Sequence, residues 1–208
     1  MSKYLQNGKA GDPIFIFAHG AGAGMEHPFM ETMACEIAKS GIHVVRFNFP
    51  YMEKRSVDGR KRPPDRAPIL LDAYREVIDD FQSDATIFIG GKSMGGRMAS
   101  LVAEQTKVSG LICLGFPFHP PGKPENFKGD HLKSISTPSL IIQGERDTFG
   151  KRAEFEHFHL SKAVQTQFIT DGDHSFKPRK SSGLTEHENL LCAAGLVQKF
   201  VMEQSCES

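Results

Sequence analysis

The sequence predicts an α/β fold built on a mostly parallel sheet of about six strands, with helices on both faces and a minimal lid or none. Short runs rich in Ile, Val and Phe alternate along the chain with longer segments whose apolar residues recur every three or four positions. The short runs are apolar throughout, which is typical of parallel strands buried on both faces. The chain has 208 residues, and we expect a single domain over residues 1–208.

Six apolar runs predict the strands of this sheet. They cover residues 13–18, 42–49, 86–90, 108–116, 138–143 and 164–170. Many of their residues are β-branched or aromatic, and such residues favour extended backbone. Crossovers between parallel strands are right-handed, so the loops that follow the strands collect at one edge of the sheet. We expect any active site at that edge.

Amphipathic segments between these runs predict the helices. They cover residues 28–39, 67–81, 93–105 and 151–160, and a last helix follows the sixth run. Pro28 suits the first turn of the first helix, and Gly41 suits its end. Thr185 and Glu188 form a capping box at the start of the last helix. No insertion between strands has the length of a large helical lid.

The residues Gly91-Lys92-Ser93-Met94-Gly95 follow the third predicted strand and begin a predicted helix. They match G-x-S-x-G, the pattern of a serine held on a sharp strand-to-helix turn. Two other interpretations exist. The residues Gly91-Lys92-Ser93 also end the phosphate-binding pattern G-x-x-x-x-G-K-[ST], but Thr86 stands where that pattern needs a glycine. The other alternative is a serine that simply caps a helix.

A serine nucleophile needs a base within hydrogen-bond reach and an acid that orients the base. His174 follows the last predicted strand, and Asp147 follows the strand before it. The chain order serine, acid, histidine is the one expected with a G-x-S-x-G serine. We therefore predict Ser93 as the nucleophile, His174 as the base and Asp147 as the acid. Glu145 is the nearest substitute for Asp147.

Two aspartates close to the predicted base have a different predicted role. Asp171 and Asp173 flank a glycine directly before His174, and residues of these types suit tight bends. We expect them to shape the turn that carries His174.

Two backbone N–H groups are predicted to stabilise the negative oxygen that forms during attack. One is the amide of Met94, directly after the nucleophile, and the other is the amide of Ala21 in the loop after the first strand. That loop, residues 19–24, reads His-Gly-Ala-Gly-Ala-Gly. Its glycines let backbone approach a substrate closely, so Gly22 is a candidate substrate-binding residue. The alternative is a glycine-rich turn that only connects a strand to a helix.

Two further loops are expected to reach the same edge. Residues 50–66 carry six basic and three acidic side chains, and Tyr51, Arg60 and Arg62 are candidates for binding an anionic substrate. A solvated loop is the alternative. Phe116 and Phe118, which follow the fourth strand, are candidates for an apolar wall against an acyl group; a packed connection is the alternative.

The composition indicates a reduced compartment and gives no indication of a nucleic-acid partner. The chain has 25 basic and 25 acidic residues, so its charge does not indicate a nucleic-acid partner. Residues 1–12 lack the apolar core of a signal peptide, and the four cysteines have no paired spacing. We expect a cytoplasmic protein with no nucleic-acid or membrane partner, no metal and no other cofactor. The oligomeric state is left open.

These motifs closely resemble the α/β-hydrolase superfamily over residues 13–203. The stretches at 19–24, at 90–97 (Gly-Gly-Lys-Ser-Met-Gly-Gly-Arg) and at 144–147 (Gly-Glu-Arg-Asp) look like a narrower group. It holds small dienelactone-hydrolase-like bacterial proteins and, in eukaryotes, testis-expressed and NSL-complex-subunit proteins. Dienelactone hydrolases carry a cysteine nucleophile. Since this chain has Ser93 there, the resemblance does not imply dienelactone activity.

The motifs together predict a serine hydrolase that cleaves an ester, thioester or related acyl bond of a small substrate through an acyl-enzyme. An anionic substrate is one option, raised by the basic residues of 50–66. The alternative is a hydrolase-fold protein whose catalytic residues are silent and which serves to bind a partner.

Overall fold

Seven strands form one sheet in the structure, a computed structural model that describes residues 3–11, 13–82 and 86–206. The strands are β1 (Tyr4–Asn7), β2 (Ile14–Ala18), β3 (His43–Phe47), β4 (Ile87–Lys92), β5 (Gly110–Leu114), β6 (Ser139–Gly144) and β7 (Val164–Ile169). Their spatial order is β1-β3-β2-β4-β5-β6-β7. All neighbouring pairs are parallel except β1 with β3. The predicted α/β fold with a mostly parallel sheet is confirmed.

Five α-helices cover this sheet within the described residues. They are α1 (Pro28–Ala38), α2 (Pro50–Asp58), α3 (Ala67–Phe81), α4 (Met94–Val102) and α5 (Glu186–Cys206). Helices α1 and α5 contact each other on one face of the sheet, and α3 contacts α4 on the other. Thr185 and Glu188 form the predicted capping box, with the Glu188 amide donating to Thr185 Oγ1. None of the helices in this part of the chain is both long and apolar enough to span a membrane.

The chain reverses its direction across the sheet between β2 and β4. From β2 it moves outward to β3, and it then returns to place β4 on the other side of β2. In open α/β sheets, ligands bind at such a point, beyond the carboxyl ends of the strands. The loop after β2 and the turn after β4 therefore lie where a site is expected.

Three sequence expectations need correction. The sheet has one strand more than predicted, because Tyr4–Asn7 pairs antiparallel with β3 at its edge. Residues 50–58 form the helix α2 rather than a loop. The helix expected over 151–160 is a 3₁₀ segment, Arg152–His157. The third predicted strand, 86–90, corresponds to β4, which runs two residues further, to Lys92.

Glycines bring α4 against the end of β2. A Cβ atom on Gly95 would lie 2.5 Å from the carbonyl oxygen of Ala18, and one on Gly91 would lie 2.6 Å from the same oxygen. Real Cβ atoms do not approach backbone this closely. The two glycines of the G-x-S-x-G pattern therefore set how tightly the turn at residue 93 packs on its neighbouring strand.

Replacing Gly95 with Ala is expected to lower the free energy of unfolding by about 1–3 kcal/mol, because the added methyl group forces backbone apart. Gly195→Ala is the control. Gly195 lies inside α5 with no atom within 4 Å of its would-be Cβ. At that position, the same change should raise the free energy of unfolding by about 0.5–1 kcal/mol, because alanine favours the helix more than glycine does. Urea denaturation measures both, and a Gly95→Ala variant as stable as the parent would contradict the close packing.

Candidate active site

Ser93 sits on a strained turn between β4 and α4. Its backbone has φ 51° and ψ −114°, a conformation that residues other than glycine rarely adopt. Holding it costs on the order of 1–3 kcal/mol, which the surrounding packing supplies. The Ser93 amide donates to the carbonyl of Leu114 on β5 over 3.0 Å. The turn predicted from G-x-S-x-G is thus tied to strands on both sides.

His174 reaches this serine from the loop after β7. Its Nε2 atom lies 2.8 Å from Ser93 Oγ. The Asp173 carboxylate accepts hydrogen bonds from the amides of Ser175 and Lys177, while Asp171 pairs with Arg179. Both aspartates hold the loop, as their positions in the sequence predict.

Asp147 is fully buried and contacts the other ring nitrogen of His174. Its Oδ2 atom lies 2.8 Å from His174 Nδ1 and also accepts from the Gln143 side-chain amide over 2.9 Å. Its Oδ1 atom accepts from the Phe149 amide over 2.9 Å. A carboxylate only accepts here, so Nδ1 of His174 carries a proton and Nε2 is free to accept the serine proton. The residue considered as a substitute, Glu145, instead binds Arg152 and the Asp171 amide.

Burial lowers the pKa of His174 below its ordinary value of 6.5, and the positive charge of Lys92 acts in the same direction. The hydrogen bond to Asp147 opposes both effects. The ring of Phe149 packs beside the imidazole, with centroids 4.3 Å apart. The imidazole is therefore neutral at pH 7, which is the state that accepts a proton.

The loop after β2 is held through its backbone carbonyls. The Tyr51 hydroxyl lies 3.0 Å from the carbonyl oxygen of Ala21 and 3.3 Å from that of Gly20. Arg55 donates to the carbonyl of Gly22 over 3.0 Å. Both side chains come from α2, so this helix fixes the backbone of residues 20–22.

His19 fixes the same loop from the strand side. Its Nδ1 donates to the Gly20 carbonyl over 2.7 Å, and its Nε2 accepts from the Phe49 amide over 3.1 Å. Burial lowers the pKa of His19 to about 4, so its ring is neutral and both bonds persist at physiological pH.

The amides of Ala21 and Met94 donate no hydrogen bond within the part of the chain that the structure describes. Met94 is the first residue of α4, and the amides of a helix's first turn have no partner inside the helix. Both amides thus remain available to the oxygen of a bound substrate.

A cavity of about 480 Å³ opens beside Ser93 and His174. Gly22, a predicted substrate-binding residue, lines it together with Phe29, Met30 and Phe149; its contact with substrate stays a prediction. Lys92 also lines it and is the single lysine or arginine among the lining residues that the structure describes. No separate lid covers the cavity in the described residues.

The other residues predicted to bind substrate lie elsewhere. Phe116 and Phe118 are fully buried in the core, because the chain after β5 turns inward. Tyr51 is 1% exposed and supports the loop after β2 instead of lining the cavity. Arg60 and Arg62 do not line it either. Arg62 forms an ion pair with Asp58 four residues earlier, across the end of α2.

Sequence reasoning missed the residues that hold or line the site without matching a motif. Lys92 occupies an unspecified position of G-x-S-x-G, and Gln143 lies inside an apolar strand. The polar residue in that buried strand was a usable signal, since buried polar groups need partners. Phe29 and Phe149 carried no such signal.

No group of three or more His, Cys, Asp or Glu side chains within residues 3–11, 13–82 and 86–206 is arranged to hold a metal ion. The four cysteines are free, and Cys113 is buried.

Known proteins share this fold over nearly the whole chain. Est1E from Butyrivibrio proteoclasticus, solved with ferulic acid bound, matches with a TM-score of 0.74 and 17% identity, covering 98% of this chain and 95% of its own. A dienelactone hydrolase from Anabaena variabilis matches with a TM-score of 0.73 and 20% identity, over 96% and 90%. A serine hydrolase without a lid from Xanthomonas campestris matches with a TM-score of 0.68 and 20% identity, over 96% and 88%. At these identities the likeness establishes the fold.

The family of this chain is identified by comparing its sequence with models of known families. A family model for the alpha/beta hydrolase domain matches residues 11–202, which includes the turn at Ser93 and the loops that carry Asp147 and His174. The chain therefore belongs to the alpha/beta hydrolase family.

Proposed function

We propose that this protein is a serine hydrolase that cleaves an ester, thioester or related acyl bond of a small substrate through an acyl-enzyme intermediate. One observation carries the proposal. Ser93 Oγ lies 2.8 Å from His174 Nε2, and His174 Nδ1 lies 2.8 Å from the buried Asp147 carboxylate, beside an accessible cavity. This connectivity activates a serine hydroxyl in known hydrolases.

In the first half-reaction, Ser93 Oγ attacks the substrate carbonyl carbon while His174 Nε2 takes the hydroxyl proton. The imidazole becomes a cation, and the Asp147 carboxylate stabilises it without accepting its proton. The carbonyl oxygen becomes an oxyanion, and we assign the amides of Ala21 and Met94 as its donors. When the tetrahedral intermediate collapses, His174 gives its proton to the departing alcohol or thiol, and Ser93 keeps the acyl group.

In the second half-reaction, His174 takes a proton from water, and the resulting hydroxide attacks the acyl carbonyl. The intermediate collapses to release the carboxylic acid, and His174 returns the proton to Ser93. Side chains of this chain serve each proton transfer, so the proposed reaction calls for no metal ion or organic cofactor.

The size of the cavity supports a small substrate. A volume of about 480 Å³ is near the lower end of ligand pockets, which span about 300–1,000 Å³. Proteins of the same fold that are described as a serine hydrolase and a dienelactone hydrolase support hydrolysis as the reaction class.

Ser93→Ala should lower kcat on a small ester by about 10⁴–10⁶-fold while leaving the fold intact, because the nucleophile is removed. A fluorophosphonate probe should label the parent at Ser93 and fail to label the variant. Ser181→Ala, a change at an exposed serine, is the control and should label like the parent. A parent protein that refuses the probe would favour the silent, partner-binding alternative.

The pH dependence of kcat/KM should report His174 in the free enzyme. Activity requires the neutral imidazole and is lost as pH falls through its pKa. Because that pKa is lowered from 6.5, the midpoint of the acid limb should lie below pH 6.5. Initial rates between pH 4.5 and 8 at low substrate concentration measure it. A midpoint above 6.5 would show that the cationic imidazole is favoured and would contradict the burial of the ring.

Tyr51→Phe should lower kcat about tenfold with little change in KM. Loss of the hydroxyl loosens the loop that presents the Ala21 amide, whereas removing an oxyanion donor outright costs about 10²–10³-fold. Steady-state kinetics measure the effect, and the rate of fluorophosphonate labelling should fall in parallel. An unchanged kcat would mean that the remaining contacts from His19 and Arg55 hold the loop on their own.

A further inference from the structure

Lys92 has no part in the mechanism above, yet it is the residue directly before Ser93. It ends β4, is only 8% exposed, and is one of the residues that line the cavity. Its ammonium group donates to the carbonyl oxygen of His174 over 2.5 Å and lies 5.6 Å from the centre of the Phe29 ring. A buried lysine is rare, since removing an ammonium group from water is costly unless an anion compensates it.

No carboxylate among the described residues forms an ion pair with this ammonium group. An ammonium group has three N–H donors, and His174 O is the one acceptor that Lys92 Nζ contacts in the described residues. Asp147 and Asp173 act on it from a distance, without a hydrogen bond to it. Burial lowers the pKa of Lys92 to about 8, so the group still carries its proton at pH 7. Two of its donors thus have no partner among the described residues, and the residue that carries this positive charge lines the cavity beside Ser93.

None of the six basic residues of 50–66 lines the cavity. Arg62 is neutralised by Asp58, and Arg55 is occupied by the Gly22 carbonyl. An anion that enters the cavity therefore meets the ammonium group of Lys92.

We propose that Lys92 binds a carboxylate of the substrate, so that the enzyme prefers esters or thioesters whose acyl chain ends in a carboxylate. This inference rests on the proposed serine hydrolase function and names its substrate class. The carboxylate oxygens accept the two free donors and supply the missing negative charge. The hydrolysis itself is unchanged: water cleaves the acyl bond, and the products are a dicarboxylate and an alcohol or thiol.

The geometry also limits the length of the acyl chain. The Cα atoms of Lys92 and Ser93 are about 3.8 Å apart, as in any trans peptide. The ammonium group contacts the backbone of His174, the residue whose ring contacts Ser93 Oγ. A carboxylate bound by Lys92 and a carbonyl at Ser93 would therefore both lie beside His174, within a cavity of about 480 Å³. We take half-esters of short dicarboxylic acids, such as succinate, as the substrates to test.

The test compares two esters of equal shape and different charge. Ethyl hemisuccinate carries the carboxylate, and ethyl 4-methylpentanoate replaces it with an uncharged isopropyl group. The ratio of their kcat/KM values, measured in a pH-stat at pH 7, reports recognition of the charge. Lys92→Met should lower this ratio by about 10–100-fold, the usual effect of removing a hydrogen bond to a charged group. Lys123→Met, at an exposed lysine far along the chain, should leave it unchanged.

A second variant separates the charge of Lys92 from its hydrogen bond to the His174 carbonyl. Lys92→Gln keeps a donor for the His174 carbonyl and removes the charge, so it should lower the ratio as Lys92→Met does. It also serves if Lys92→Met fails to fold, which circular dichroism would show. If either folded variant slows both esters by the same factor, Lys92 positions His174 and the proposal is wrong. An unchanged ratio would overturn it equally.

Binding without turnover distinguishes this inference from the function on which it rests. Calorimetric titration of ethyl hemisuccinate into Ser93→Ala should show binding that weakens at least tenfold when Lys92→Met is added. If the parent hydrolyses neither ester and Ser93 does not react with a fluorophosphonate, the proposed function fails while the titration still tests Lys92. If the parent hydrolyses both esters and the titration shows no loss, the proposed function stands and the role of Lys92 is refuted.

Discussion

The close contact between the first turn of α4 and the carboxyl end of β2 is the constraint on which the site depends. Gly91 and Gly95 allow it, and Ser93 between them accepts an unfavourable backbone conformation as a result. The contact brings the Ser93 hydroxyl and the Met94 amide to the same edge as the loop after β2. It also places them where the chain reverses direction across the sheet, so the cavity follows from the strand order.

A second level of organisation comes from polar contacts that do not touch the cavity. Gln143 and the Phe149 amide satisfy Asp147, which frees that carboxylate to orient His174. His19 and Tyr51 hold the loop after β2 through its carbonyl oxygens. The side chains of Gln143, His19 and Tyr51 are buried and hydrogen-bonded, so each can position a neighbour without itself meeting substrate.

The sequence predicts those parts of the protein that a strong local pattern encodes. The apolar runs predict the strands, and the expected boundaries of the helix Ala67–Phe81 agree with the structure. Ser93, Asp147 and His174 each follow a predicted strand, and the structure brings them together; their catalytic roles stay a prediction. The family resemblance is confirmed by the match over residues 11–202.

The remaining features depend on tertiary contacts that no local pattern records. Tyr4–Asn7 is short and mostly polar, and only pairing with β3 makes it a strand. Helix α2 is rich in charged residues and begins at a proline, which suits a loop equally well. Phe116 and Phe118 have the composition of a pocket wall, but the direction of the chain after β5 sends them into the core.

The way in which α2 holds the loop after β2 has a consequence for how such enzymes diverge. Tyr51 and Arg55 bind main-chain oxygens, which every amino acid possesses. The side chain at position 21 therefore does not hold the loop in place. Evolution or a mutational library can exchange it to reshape the entrance of the cavity while the backbone of residues 20–22 keeps its position.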